Sequence, residues 1–148
     1  MKIVIGCDHG GFDYKDRIVA LLKSLGHEVI DVGTNDGTTS VDYPDYAEAA
    51  AKEIVEGRAE RGILICGTGI GISIAANKVK GIRCAVVHDH YTAQLTRQHN
   101  DANMIAFGAR VIGIEVAYDI VRTFLTTDFE GGRHAARIAK ITAIENRQ

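Results

Sequence analysis

Two loops hold most of the residues in this chain that could move a proton or grip an anion. They are Cys7-Asp8-His9-Gly10-Gly11 and Cys66-Gly67-Thr68-Gly69-Ile70-Gly71. Each follows a short apolar run that reads as a buried strand. In the second loop Gly67, Gly69 and Gly71 alternate, so backbone N–H groups are free to converge on a phosphate or a developing oxyanion. The same spacing also suits a plain strand-to-helix turn. Cys66 opens that loop. A thiol beside converging amides is a competent base or nucleophile, although a strand cysteine is also an ordinary small apolar residue. The loop is neither a Walker A motif nor a full G-x-G-x-x-G, because Ile72 follows Gly71 and no Gly-Lys-Ser/Thr comes next. That argues against ATP and NAD. Cysteine-phosphatase chemistry needs an arginine after a Cys-x5 loop, and Ile72 and Asp13 stand in those two places.

Other candidates lie further along the chain. Arg133 and Arg137 share one face of a helix start, with His134 between them in sequence. A helix N-terminus prefers acidic residues, so two arginines there suit a phosphate clamp, or else a solvated face. His99, in His99-Asn100-Asp101, has the residue type of a general acid or base; an isolated exposed histidine is also often inert. His9 beside Asp8 is more suggestive, because both follow a strand. Tyr43, in Asp42-Tyr43-Pro44, either lines a pocket or packs. His27, His88 and His90 read as structural. No CxxC or HExxH occurs, so no dedicated metal site is expected.

The elements that must position these residues alternate. Strands are expected at Lys2–Gly6, Glu28–Val32, Gly62–Cys66, Arg83–Val87 and Met104–Phe107. Between them, Ile18, Leu21, Leu22 and Leu25 line one helix, closed by Gly26; Ala47, Ala50, Ala51, Ile54 and Val55 line a second, preceded by a loop holding Pro44. Residues 91–99 form another helix. Ala117, Ile120, Val121, Phe124 and Leu125 give a long amphipathic one, and Ile138, Ile141 and Ile144 a last one after Gly131-Gly132. This alternation implies an α/β fold, a three-layer α/β/α sandwich with a five-stranded parallel Rossmann-like sheet. Ligands of such sheets bind beyond the carboxyl ends of the strands, at a topological switch point.

The 148 residues suit one domain, 1–148. A net charge of −2 gives no field for nucleic acid and no polybasic segment for a membrane. No apolar run approaches the ~20 residues of a membrane span, and no signal peptide is apparent. Three unpaired-looking cysteines, Cys7, Cys66 and Cys84, fit a reducing cytoplasm.

In combination, CDHGG (7–11), DYPDYA (42–47), GILICGTGIGISIAANK (62–78), RQHNDANMIAFGAR (97–110) and EGGRHAAR (130–137) resemble the type B ribose-5-phosphate isomerases. These belong to a wider family with galactose-6-phosphate and allose-6-phosphate isomerases. The resemblance covers essentially the whole chain. It implies that Cys66 is the base that moves a proton between C1 and C2. A second branch of the family carries glycine there and a glutamate where this chain has Ile72. The resemblance also implies that the amides of Gly67, Thr68, Gly69, Ile70 and Gly71, with the Thr68 hydroxyl, hold the enediolate oxygens. His99 would open the furanose ring, with Asp8 near the same hydroxyls. His9, Arg133 and Arg137 would grip the phosphate, and Asn100, Arg110 and Tyr43 would touch the sugar. It implies no cofactor and no metal, a small sugar phosphate as ligand, and a homodimer or dimer of dimers whose sites are shared between subunits. Two alternatives stay open: a six-carbon substrate, and a non-catalytic module that senses a sugar phosphate or nucleotide. The loop 34–40 matches nothing specific.

Overall fold

A computed structural model describes residues 1–148. Its strands are β1 (Lys2–Cys7), β2 (Glu28–Asp31), β3 (Arg61–Cys66), β4 (Cys84–Val86) and β5 (Met104–Gly108). All pair in parallel, in the order β2-β1-β3-β5-β4. The helices are α1 (Phe12–Ser24), α2 (Tyr43–Val55), α3 (Ile70–Ala76), α4 (His90–Asn100), α5 (Ile114–Thr126) and α6 (Arg133–Asn146). The expected parallel α/β sandwich is therefore present, and each strand boundary lies within one residue of its expected place.

Side chains of a strand alternate between the two faces of a sheet, and both faces here are buried. Ile3, Ile5, Cys7, Ile63, Ile65, Ile105 and Phe107 pack on one face against Ile18 and Leu22 of α1 and Ile120, Val121 and Phe124 of α5. Val4, Leu64, Cys66, Met104 and Ala106 pack on the other against Ala47, Ala50 and Ala51 of α2 and Ile72 and Ala76 of α3. Cys7 and Cys66 thus lie on opposite faces of adjacent strands. The small alanine stripe of α2 lets that helix lie close to the sheet: a Cβ on Gly6 would sit 3.2 Å from the Tyr46 carbonyl oxygen.

Two details differ from expectation. Tyr43 and Pro44 are the first two residues of α2 rather than part of the loop before it. A proline in the first turn lacks only an N–H that has no helical acceptor anyway. α6 buries only His134, and Ile141 and Ile144 are 47% and 52% exposed. The apolar stripe expected on this helix thus has little of its own chain to cover it.

Candidate active site

The chain leaves β1 toward β2 on one side and returns to place β3 on the other, so the sheet's switch point lies between β1 and β3. Their two following loops meet there. A Cβ on Gly10 would lie 3.0 Å from the Gly67 nitrogen, and one on Gly11 would strike the Ile65 carbonyl oxygen at 2.3 Å. Only glycine permits this approach.

Cys66 ends β3 and is 5% exposed. The Gly69 N–H donates to its Sγ at 3.0 Å. Gly69 reaches that position with φ of +81°, where a Cβ would meet the Phe107 backbone at 2.8 Å. The Ile70 N–H donates to Thr68 Oγ1 at 3.2 Å. The N–H groups of Gly67, Thr68 and Gly71 donate to no backbone carbonyl, which leaves three donors beside the thiol for an oxyanion. Two side chains flank the loop. Arg110 Nη1 lies 3.0 Å from the place of a Gly67 Cβ, and the Tyr43 ring 2.7 Å from that of a Gly71 Cβ.

Asp8 is buried, and its Oδ1 accepts from the N–H groups of Gly10 and Gly11 at 2.9 and 3.2 Å. One carboxylate oxygen therefore shapes the first loop. His9 Nδ1 accepts from the Val41 N–H at 3.1 Å. The sheet end thus assembles Asp8, His9, Tyr43, Cys66, Gly67, Thr68, Gly69, Ile70, Gly71 and Arg110. Burial pushes the other two thiols, Cys7 and Cys84, up to about 12.

His99, Asn100, Arg133 and Arg137 are elsewhere. α4 runs antiparallel to the strands it connects and delivers His99 and Asn100 just before β5 begins. Met104, at the start of β5, pairs with Gly62, whereas Gly108, at its end, pairs with Cys66. About 13 Å of strand separates those levels. One chain therefore does not bring His99 to Cys66.

Around His99 the structure builds a second group. Its ring stacks on His134, with centroids 4.2 Å apart and planes 11° from parallel. His134 is 4% exposed, and its Nε2 has no hydrogen-bond partner, the nearest carboxylate being Glu130 at 3.6 Å. Burial is the main cause holding His134 below the ordinary histidine value of 6.5, with His99 and Arg133 next. Ligand atoms of His99, Glu130 and His134 lie within 4.8 Å of one another, so they could meet at one cation. Arg133 and Arg137, in the first turns of the same helix, oppose a cation there. Sequence reading named His134 only as a neighbour of the two arginines and gave it no role, because nothing in its spacing distinguishes it from them. A cavity of about 850 Å³ lies between the segment after α3, β4, the end of α4 and α6. Asn100, Ile141 and Ile144 line it, and Cys66 does not.

Comparison with known proteins gives concordant findings. A model of the family described as Ribose/Galactose Isomerase matches residues 3–141. The chain is 54% identical to ribose-5-phosphate isomerase B of Escherichia coli (strain K12), over 99% of this chain and 98% of that protein. It is 44% identical to D-erythrulose-4-phosphate isomerase of Pectobacterium atrosepticum, over 100% and 97% respectively. Among solved structures it superposes on Clostridium thermocellum ribose-5-phosphate isomerase B with a TM-score of 0.97 and 54% identity, covering 99% of both chains.

Proposed function

The chain belongs to the ribose/galactose isomerase family, and from that premise we propose that it interconverts D-ribose 5-phosphate and D-ribulose 5-phosphate through an enediolate. The observation that carries the mechanism is the Cys66 thiol under the Gly69 amide, beside three unengaged loop amides. Aldose–ketose isomerisation needs a base over the C1–C2 edge and donors for the oxygen charge that develops there. Cys66 takes the proton from C2 of the open-chain aldose and returns it to C1. The amides of Gly67, Thr68 and Gly71 and the Thr68 hydroxyl hold the enediolate oxygens. Arg110, Tyr43 and Asp8 border the sugar.

Ring opening and phosphate binding draw on the second group. His99 passes a proton at the ring oxygen, Asn100 contacts the sugar, and Arg133 and Arg137 clamp the phosphate with His9. A fixed anion lets binding energy far from the reacting carbons hold C1 and C2 against the base. Because His99 and Cys66 stand at opposite ends of one sheet, the working site joins two copies of the chain in a homodimer. The exposure of Ile70, Ile74, Ile141 and Ile144 supports this pairing.

A coupled isomerase assay on purified protein tests the reading, with ribose 5-phosphate, allose 6-phosphate and erythrulose 4-phosphate side by side. Turnover is expected with ribose 5-phosphate, faster than with either of the other two. Binding of ribose 5-phosphate without turnover of any would make the chain a sensor instead.

A further inference from the structure

Lys15 is almost wholly buried, at 2% exposure, and no step above uses it. It lies in the second turn of α1, directly under the segment that follows β2. Its ammonium donates to the Thr34 carbonyl at 2.7 Å and to Asn35 Oδ1 at 3.3 Å, and pairs with Asp31 Oδ2 at 3.2 Å. It also stands 5.5 Å above the Phe12 ring, against which Gly37 of the same segment packs. A buried ammonium is costly unless it is paired and hydrogen-bonded. These partners meet that need, and all three belong to residues 31–35. Beyond them Asp36 holds the loop in shape: its carboxylate accepts from the Thr38 N–H at 2.8 Å and from the Thr38 and Thr39 hydroxyls. The loop then delivers the Val41 N–H to His9 Nδ1 at 3.1 Å.

A backbone N–H can only donate. The ring nitrogen facing it must therefore be the acceptor, and the neutral imidazole carries its proton on Nε2. That matters for an anion, which offers acceptors alone. We propose that Lys15 is a positioning residue: through the loop 31–41 and the Val41 amide it locks His9 in the Nε2–H form that donates to the phosphate of the substrate. Without the lock the ring is free to adopt the other tautomer, which would aim a lone pair at the phosphate. This deepens the proposed function and rests on it for the identity of the anion. It also gives the loop 34–40 a task, as the link between a core lysine and a binding histidine.

The test reads tautomer and kinetics separately. Long-range proton–nitrogen correlation spectra of histidine-labelled protein, taken where the ring is neutral, report which nitrogen of each ring is protonated. His9→Asn identifies the His9 signals. Wild-type protein should show His9 with a protonated Nε2 alone. In Lys15→Met the His9 signals should shift to the average of two tautomers. KM for ribose 5-phosphate should rise about five- to tenfold, as expected for the loss of one oriented hydrogen bond, with kcat within about twofold. Val41→Pro removes the donor and leaves the core lysine in place, so it answers the same question should Lys15→Met fail to fold. A single Nε2–H form persisting in either folded variant would overturn the inference. Tautomer averaging with an unchanged KM would support the lock and instead remove His9 from the phosphate grip.

Discussion

At the scale of single residues, two thiols at neighbouring strand ends look alike in sequence and differ in surroundings. Cys66 has an amide aimed at its sulfur and lies beside unengaged donors, while Cys7 faces the core layer of α1 and α5. Cys66→Ala should therefore lower kcat by ~10²–10⁴ or more, the range for a lost catalytic base. Binding of ribose 5-phosphate should stay within a few-fold; near wild-type turnover would reduce Cys66 to packing. Thiol alkylation should inactivate the enzyme, and substrate should protect it. Cys7, pushed up to about 12 by burial, is almost wholly protonated at neutral pH, and the thiolate is the nucleophile. Mass spectrometry should find the inactivating label on Cys66. Label on Cys7 alone, tracking the loss of activity, would reverse the assignment.

At the scale of elements, α6 carries the test. Arg133 and Arg137 are exposed in its first turns, where they oppose the helix dipole. Neither has an ion-pair partner within the chain. Arg137→Ala should leave the melting temperature level or raise it slightly, while KM for the sugar phosphate climbs. A large drop in melting temperature with KM unchanged would make the residue structural. His134 ties α6 to α4 through its stack on His99. Its folded pKa lies below the ordinary 6.5. Between those two values the unfolded chain binds more protons, so stability rises with pH and falls on acidification. The protein should lose melting temperature as pH drops below about 6.5, and His134→Gln should flatten that limb. An acid limb of the same slope in the variant would place the titrating group elsewhere.

At the scale of the whole molecule, the opposite placement of Cys66 and His99 makes a sharp expectation. In the proposed two-fold dimer each site would take Cys66 from one subunit and His99 from its partner. A mixed dimer of Cys66→Ala and His99→Asn chains puts both lesions in one site and leaves the other intact. Random exchange makes half the dimers mixed, so co-refolding equal amounts should recover about a quarter of wild-type activity. Each mutant refolded alone should be nearly inactive. No recovery, with mixed dimers confirmed by native mass spectrometry, would mean that the two residues act within one chain.

What depends on local periodicity and on glycine was legible along the chain. Alternating strand and helix patterns gave the sheet to within a residue at every strand boundary. The glycines of the two loops marked the strand ends where backbones approach too closely for a Cβ. Residue types singled out Cys66, His99 and the arginines as able to do chemistry, and the resemblance assigned their roles. Strand order and direction decided the rest. Parallel strands put Asp8 and Cys66 at one end of the sheet, and the antiparallel course of α4 sends His99 to the other. Sequence reading could not see Lys15, which looks like any lysine on an amphipathic helix until the segment after β2 folds across it. It named His134 without a role for the same reason, since burial and stacking are properties of what lies opposite a side chain. Which residues face each other depends on non-local packing, and no spacing along the chain records it.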